Sequence, residues 1–270
     1  MRYLFAGNGL TEGTYGESYV DRVAEALVRG WYGLSGQAIN AGRTADTVRA
    51  LLARIDGPLQ AHQPDWVILA VGSNDVWIPW LSSHSIGWWL WGGARRLVRG
   101  QRATTDLDQF AAAYRALVDK AQQAGARVLI CTVSPLGEQF SSPVNRQLAQ
   151  VNGVIRRVAA DRGVPLADVW QAFVEELGVQ PKTRRYVPSE WLLAWRDRLR
   201  LRMTSPDHLS QRRRLHLTFD GIHLNSRGAY IWAGTILAAL ARAQDLDPGP
   251  LSYDDERPDD LESQTALEGA

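Results

Sequence analysis

Short apolar segments alternate with amphipathic segments along most of the chain. Continuous apolar runs predict buried strands, and apolar residues that recur at helical spacing predict helices. The predicted strands cover residues 3–6, 37–40, 66–71, 128–133 and 164–167, and the predicted helices cover residues 19–29, 44–55, 107–123, 145–161 and about 226–243. Strands separated by helices favour right-handed β-α-β units, and therefore an α/β protein with a parallel sheet covered on both faces.

The loops that follow the predicted strands carry the candidate chemistry. Ligands of such sheets bind at the carboxyl ends of the strands. The first three strands are followed by the segments GNGLTEG (7–13), NAGRT (40–44) and GSND (72–75), and DGIH (220–223) precedes the last predicted helix. Each segment alone is compatible with an ordinary turn or helix cap, whereas four of them in this order form a specific signal for a site.

This arrangement resembles the SGNH (GDSL-type) hydrolase family over roughly residues 1–240. The resemblance implies a three-layer α/β/α, flavodoxin-like fold whose five-stranded parallel sheet has the order 2-1-3-4-5. It also implies that Gly9, Gly42 and Asn74 take the positions of the family's oxyanion-hole donors. His223 corresponds to the general base, and Asp220 to the carboxylate that orients it.

These residue types suit acyl transfer on physical grounds. The reaction builds negative charge on a carbonyl oxygen, which the backbone N–H groups of Gly9 and Gly42 and the amide of Asn74 would stabilise. A neutral imidazole at His223 can take up a proton and return it to the leaving group. Asp220, three residues earlier, is spaced to bond the other ring nitrogen and fix the tautomer.

The first loop departs from the family pattern at the nucleophile. The family has Asp-Ser where this chain has Asn8-Gly9, and glycine has no side chain with which to attack a carbonyl. Loss of a catalytic-triad nucleophile costs about a million-fold in turnover. Thr11 and Ser73 are nearby hydroxyls that are not expected to face the carbonyl, and a water activated by His223 would react slowly. A natural change at position 9 and a deliberate substitution both give this sequence.

Three hypotheses for the function stay open. The first is an ester hydrolase, esterase-like or lipase-like, whose activity is reduced or absent because of Gly9. The second is a non-catalytic protein that binds an acyl or carboxylate ligand. Gly9 favours this second hypothesis, and the retention of Asp220 with His223 favours the first. The third is a carbohydrate deacetylase, for which an open polar cleft is expected. None of these needs a cofactor or a metal ion, and we expect neither.

The sequence predicts one domain over residues 1–244, with insertions at about 76–104 and 180–217 and a disordered tail over 245–270. The tail has nine acidic residues against one arginine.

The first insertion carries a tryptophan cluster over residues 77–91. Polar residues and Pro79 interrupt this cluster, which excludes a membrane span. We interpret the cluster as a wall of the ligand pocket, with contact to a lipid interface as the alternative. It consists of Trp77, Trp80, Trp88, Trp89 and Trp91.

The distribution of charge and the single cysteine restrict the predicted binding partners and location of the protein. Residues 182–214 have ten basic residues against three acidic ones, in a chain whose formal net charge is +1. Arginines in solvent on a helix, with Trp191 and Trp195 on its apolar face, are the first interpretation; recognition of an anionic substrate or phospholipid head group is the second. No reader motif for nucleic acid accompanies the charge, so nucleic-acid binding is not expected. The lone Cys131 is interpreted as a buried strand residue. The first predicted strand follows Met1-Arg2 directly, so we expect a cytoplasmic protein.

Overall fold

A five-stranded parallel sheet forms the centre of the computed structural model. The model describes residues 1–84, 86–87, 89–90, 93–94, 101–178, 196–197 and 199–248. The strands are β1 (Arg2–Gly7), β2 (Gln37–Asn40), β3 (Trp66–Ala70), β4 (Arg127–Cys131) and β5 (Leu166–Ala167). Their order is β2-β1-β3-β4-β5, which confirms the fold class and strand order that the resemblance implied.

The three central strands are buried, because helices cover both of their faces. In the parallel register Leu4 pairs with Val67, and Val67 pairs with Val128, so apolar residues lie side by side across the sheet. The prediction of burial is wrong for β2, whose four residues are exposed or half-buried. This strand lies at the edge of the sheet and pairs on one side only.

The helices form two layers, one on each side of the sheet. Helix α10 contacts both α2 and α8, and α6 contacts both α3 and α7. The helices are α1 (Gly9–Glu12), α2 (Tyr19–Arg29), α3 (Val48–Arg54), α4 (Asp56–His62), α5 (Ser73–His84), α6 (Leu107–Gln123), α7 (Pro143–Arg162), α8 (Val169–Gly178), α9 (Pro206–Arg213) and α10 (Ser226–Arg242). Side-chain caps begin several of them, for example Ser18, Asp106 and Asn225.

Helix α3 begins four residues later than the sequence pattern predicts. Thr47 caps it by accepting a hydrogen bond from the N–H of Ala50, and Val48 is the first helical residue. Ala45 has a φ of +65°, which lies in the left-handed region and is incompatible with a right-handed helix at this residue. Residues 41–47 are therefore a loop at the carboxyl end of β2, where they contribute to the candidate site.

The two predicted insertions are described in part. In the first, Trp77 is buried, whereas Ile86, Trp89 and Leu90 are exposed; Trp88 and Trp91 lie outside the described residues. In the second, residues 179–195 and 198 lie outside the described residues, among them Trp191 and Trp195, and so does the tail beyond residue 248. Within the described part of the chain, no helix is long and apolar enough to cross a membrane. The boundaries of the insertions remain predictions.

Candidate active site

The first loop presents Gly9 at the carboxyl end of β1, as the first residue of α1. Asn8 caps this short helix, since its side-chain oxygen accepts from the N–H of Leu10 at 3.0 Å and its amide donates to the Ser73 hydroxyl at 2.6 Å. A Cβ atom built on Gly9 would meet only Thr44, at 3.5–3.9 Å, which is ordinary van der Waals contact. The φ of Gly9 lies outside the left-handed region. Position 9 therefore has room for a Cβ atom without backbone strain.

Position 42 requires glycine, because the backbone of α1 lies very close to it. A Cβ atom there would lie 2.2 Å from the backbone nitrogen of Glu12 and 2.6 Å from the carbonyl carbon of Thr11. The backbone N–H of Gly42 donates to the Asn40 side chain at 2.9 Å. The predicted donation from Gly42 to an oxyanion would need this hydrogen bond to break, and that role remains a prediction.

Thr44 is the side chain closest to the open position at Gly9, and the sequence patterns did not identify it. Its backbone N–H donates to a carboxylate oxygen of Glu12 at 2.7 Å, and its hydroxyl donates to the same oxygen. Glu12 thereby joins the first and second loops. The signal in the sequence was only that both residues lie in the candidate loops, because their contact spans more than thirty positions.

Asn74 lies in the first turn of α5, at the carboxyl end of β3. One N–H of its amide donates to the carbonyl of Asp46 at 2.9 Å. The amide has a second N–H, which is the donor that the oxyanion prediction requires. Asp46 is itself held by Arg54, whose guanidinium donates to the Asp46 carboxylate at 2.5 Å and to the carbonyl of Ala41 at 2.8 Å.

Asp75 joins three segments behind Asn74. Its carboxyl oxygens accept from the N–H of Val48 at 2.9 Å and from the N–H of Thr104 at 2.8 Å. Almost complete burial raises the pKa of Asp75 to about 7, although both N–H groups act in the opposite direction. This carboxyl group therefore changes charge near neutral pH.

Asp220 and His223 form the predicted pair. Nδ1 of His223 donates to Oδ2 of Asp220 at 2.7 Å, and Oδ1 of Asp220 accepts from the N–H of Ile222 and of His223. Burial opposes the charge of Asp220, but His223 and these hydrogen bonds hold its pKa below the ordinary value. The pair fixes the tautomer that leaves Nε2 to accept a proton.

Aromatic rings and a buried glutamate position His223. Phe219 stacks on the imidazole with a centroid distance of 5.8 Å, and Tyr15 of the first loop meets it edge-on at 5.3 Å. The carboxylate of Glu138 accepts from the N–H groups of residues 216–218 at 2.7–2.9 Å, which ties the chain before Asp220 to the loop after β4. Sequence reasoning missed Tyr15 and Glu138, which lie outside the four recognised segments.

The structure brings the four predicted segments together at one edge of the sheet. Asn8 bonds Ser73 between the first and third loops, Asn74 bonds the second loop, and Tyr15 contacts His223. The two hydroxyls considered as replacements are buried and bonded elsewhere. Thr11 pairs with the hydroxyl of Tyr19 at 2.7 Å, and Ser73 accepts from Asn8.

A parallel α/β sheet with an Asp–His pair and a side-chain amide at its carboxyl edge is typical of acyl-transfer proteins. The sequence profile of the GDSL-like Lipase/Acylhydrolase family matches residues 5–231, and the chain belongs to this family. It is 24% identical over 192 residues to an acetylxylan esterase from Geobacillus stearothermophilus, which covers 65% of this chain and 79% of that protein.

Solved structures show the same fold. The acetylxylan esterase Axe2 from Geobacillus stearothermophilus has 21% identity and a TM-score of 0.59, over 88% of this chain and 93% of that one. The acetyl xylan esterase AlAXEase has 23% identity and a TM-score of 0.59, over 89% of this chain and its whole length. LAE5, an alpha/beta hydrolase from the metagenome of Lake Arreo, has 20% identity and a TM-score of 0.59, over 88% of this chain and 94% of that chain.

Proposed function

We propose that this chain binds carboxylic esters at the carboxyl edge of its sheet and hydrolyses them slowly, because its acyl-transfer site lacks the attacking hydroxyl. The observation that carries the proposal is the combination of an intact Asp220–His223 pair with an open position at Gly9. A protein that only bound its ligand would have no need of an oriented imidazole. The missing element is one side-chain oxygen.

The residues present support direct attack by water. Nε2 of His223 would take a proton from the water as its oxygen bonds to the ester carbonyl carbon. The N–H of Gly9 and the free N–H of Asn74 would stabilise the negative oxygen that forms. The imidazolium, stabilised by Asp220, then returns the proton to the alcohol oxygen as the ester bond breaks. The products are the carboxylic acid and the alcohol.

We propose acetyl esters of carbohydrates as the substrate class. The support comes from the relatives, of which several are named acetylxylan esterases. The sequence alone placed this class behind esters of small or lipid-like alcohols, because of the tryptophans in the first insertion. Of these, Trp77 is buried and packs in the hydrophobic core.

The test compares the chain with Gly9→Ser and Gly9→Ala on p-nitrophenyl acetate and on acetylated xylo-oligosaccharides. We expect Gly9→Ser to raise turnover by about a thousand-fold or more, because it restores the hydroxyl that serves as the nucleophile in this family's motif. Gly9→Ala adds the same Cβ atom without the hydroxyl and should leave turnover low. A Gly9→Ser protein that folds normally and is no faster than Gly9→Ala would contradict the proposal.

The second candidate is a non-catalytic protein that holds an acyl or carboxylate ligand, and Gly9 itself favours it. Equilibrium binding separates the two candidates. A pure binder would retain acetate or an uncleaved acetyl ester without turnover, and His223→Ala would leave this binding unchanged. Loss of slow hydrolysis in His223→Ala would instead support the hydrolase.

Contact with a lipid interface is a further proposal for the first insertion. Ile86, Trp89 and Leu90 follow helical spacing and are 79%, 61% and 59% exposed. Exposed large apolar side chains at this spacing suit an interface between water and lipid. Co-sedimentation with anionic phospholipid vesicles should fall when Trp89 and Leu90 are both changed to serine. Equal sedimentation of the two proteins would exclude this contact.

A further inference from the structure

A cavity of about 460 Å³ lies outside the candidate active site, between helix α9 and the residues that precede it. Its lining combines four basic residues, Arg200, His208, Arg212 and Arg213, with Thr204 and the apolar side chains of Met203 and Leu209. The volume is within the range that accommodates a sugar-sized ligand. None of the candidate acyl-transfer residues lines it.

The charge of this cavity is unbalanced within the described residues. All its charged lining residues are basic, and the carboxylate of Asp197, which pairs with Arg213, is buried. Asp197 binds Arg213 at 2.5 Å and approaches Arg200 only to 3.8 Å. Arg212 forms no ion pair with any residue that the structure describes. Arg200 and Arg213 thus approach the same carboxylate, and Arg212 does not.

Arg213 is held in a fixed position. Its guanidinium donates to the Asp197 carboxylate at 2.5 Å and to the carbonyl of Phe219 at 2.7 Å, and its side chain is only 10% exposed. A guanidinium group that is already ordered loses little conformational freedom when an anion binds. Arg200 and Arg212 are more exposed than Arg213.

The mixture of arginines with an apolar wall defines the ligand chemistry. Guanidinium groups match the planar oxygens of carboxylates and phosphates, and can bind them through two hydrogen bonds. Leu209, which is buried, and Met203, which is exposed, supply an apolar surface for the carbon face of a ring. We propose that this cavity binds an anionic group carried on a sugar-sized body, such as a uronic acid or a sugar phosphate.

A single residue, Phe219, connects the cavity with the candidate active site. Arg213 bonds the carbonyl of Phe219, and the ring of Phe219 stacks on His223. A bound anion is therefore expected to lie near the acyl-transfer site without sharing its residues. The proposal concerns binding only, so it does not depend on turnover or on the identity of residue 9. The competing explanation is that Arg212 and Arg213 only offset the dipole at the C-terminal end of α9.

The test is calorimetric titration of the full chain with D-glucuronate, glucose 6-phosphate and D-glucose. We expect one or both anions to bind and the neutral sugar not to bind. The double variant Arg200→Gln with Arg212→Gln should weaken binding by about tenfold or more, because two charged hydrogen-bond donors are lost. The matched control is Arg202→Gln with Arg214→Gln, which removes the same charge from neighbouring exposed arginines that do not line the cavity.

The outcomes separate the possibilities. Binding of glucuronate alone indicates a carboxylate, and binding of glucose 6-phosphate alone indicates a phosphate; either supports the proposal. An unchanged Kd in His223→Ala separates the cavity from the acyl-transfer site. The proposal is overturned if neither anion binds, if glucose binds as tightly as the anions, or if the control variant weakens binding as much as the cavity variant. In each of these cases the arginines have only the helix-end role.

Discussion

At the scale of single residues, the two glycines of the site have opposite roles. A Cβ atom at Gly9 would make only ordinary van der Waals contact with Thr44, so packing does not require glycine there. Gly42 is enclosed by the backbone of α1, so its identity is a matter of packing. The motif suggested one shared role for them as backbone donors, and only the neighbouring atoms separate the two cases.

Alanine at these two positions should therefore have different effects on stability. Gly42→Ala places a Cβ atom against backbone atoms that cannot move aside, and we expect it to destabilise the fold by roughly 1–3 kcal/mol. Gly9→Ala is the internal control and should change the free energy of unfolding very little. Chemical denaturation of both proteins measures this, and equal midpoints would show that the second loop can shift away from α1.

Ala45 offers a second residue-scale prediction. It is buried with a φ of +65°, where a Cβ atom is unfavourable and glycine is not. Ala45→Gly is expected to stabilise the protein by about 0.5–1 kcal/mol, since relief of the strain exceeds the added freedom of the unfolded chain. Thermal denaturation shows whether Ala45→Gly raises or lowers the stability of the protein. A lower Tm would mean that the loop at residues 41–47 tolerates this conformation without strain.

At the scale of elements, local signals predicted most boundaries. Helices α2 and α6 begin and end as predicted, because an apolar stripe and a capping side chain, Ser18 or Asp106, lie within each segment. The predicted start of α3 is wrong. Residues 44–47 satisfy a helical pattern, but they form hydrogen bonds with Glu12, Asn74 and Arg102 in distant parts of the chain. Long-range hydrogen bonds thus overrode the local preference.

The segment before α10 depends on one such long-range anchor. Glu138→Gln replaces one carboxylate oxygen with an NH2 group, which donates hydrogen bonds and cannot accept them, so at least one N–H of residues 216–218 loses its partner. We expect a loss of about 1–3 kcal/mol in stability. In the Gly9→Ser background, turnover should fall more than substrate affinity, because the position of His223 is disturbed. Unchanged turnover would show that Asp220 alone orients the imidazole.

At the scale of the whole molecule, the pH dependence of stability reflects buried carboxyl groups. Asp75 has a pKa raised to about 7, so its protonated form is favoured by folding. Its contribution to the free energy of unfolding is fully present below the pKa that Asp75 has in the unfolded chain, near 4. This contribution is lost as the pH rises through about 7. Asp220 has a lowered pKa, so its contribution is present above the unfolded value and is lost as the pH falls through the folded pKa.

Asp75→Asn isolates the first of these effects. The variant should be less stable at acid pH, because its NH2 group faces one of the two backbone N–H donors that Asp75 accepts from. It should also lose the wild-type decline in stability between about pH 4 and pH 7. Urea unfolding at about pH 5 and about pH 8 measures the difference. Asp56→Asn, an exposed carboxylate paired with Lys120, is the control and should keep the wild-type decline. A decline of equal size in Asp75→Asn would assign it to other groups.

The sequence by itself determined the parallel α/β sheet and the family, and it predicted the residues of the candidate site. The sheet and the family depend on short-range patterns, namely alternating strands and helices and segments in a known order, and the strand order and the family match agree with them. Tertiary structure alone decided that position 9 is open, that the N–H of Gly42 is already bonded, and that Glu12, Tyr15 and Glu138 support the site. These properties are distances between residues far apart in the chain, and they exist only after the loops pack together at the edge of the sheet.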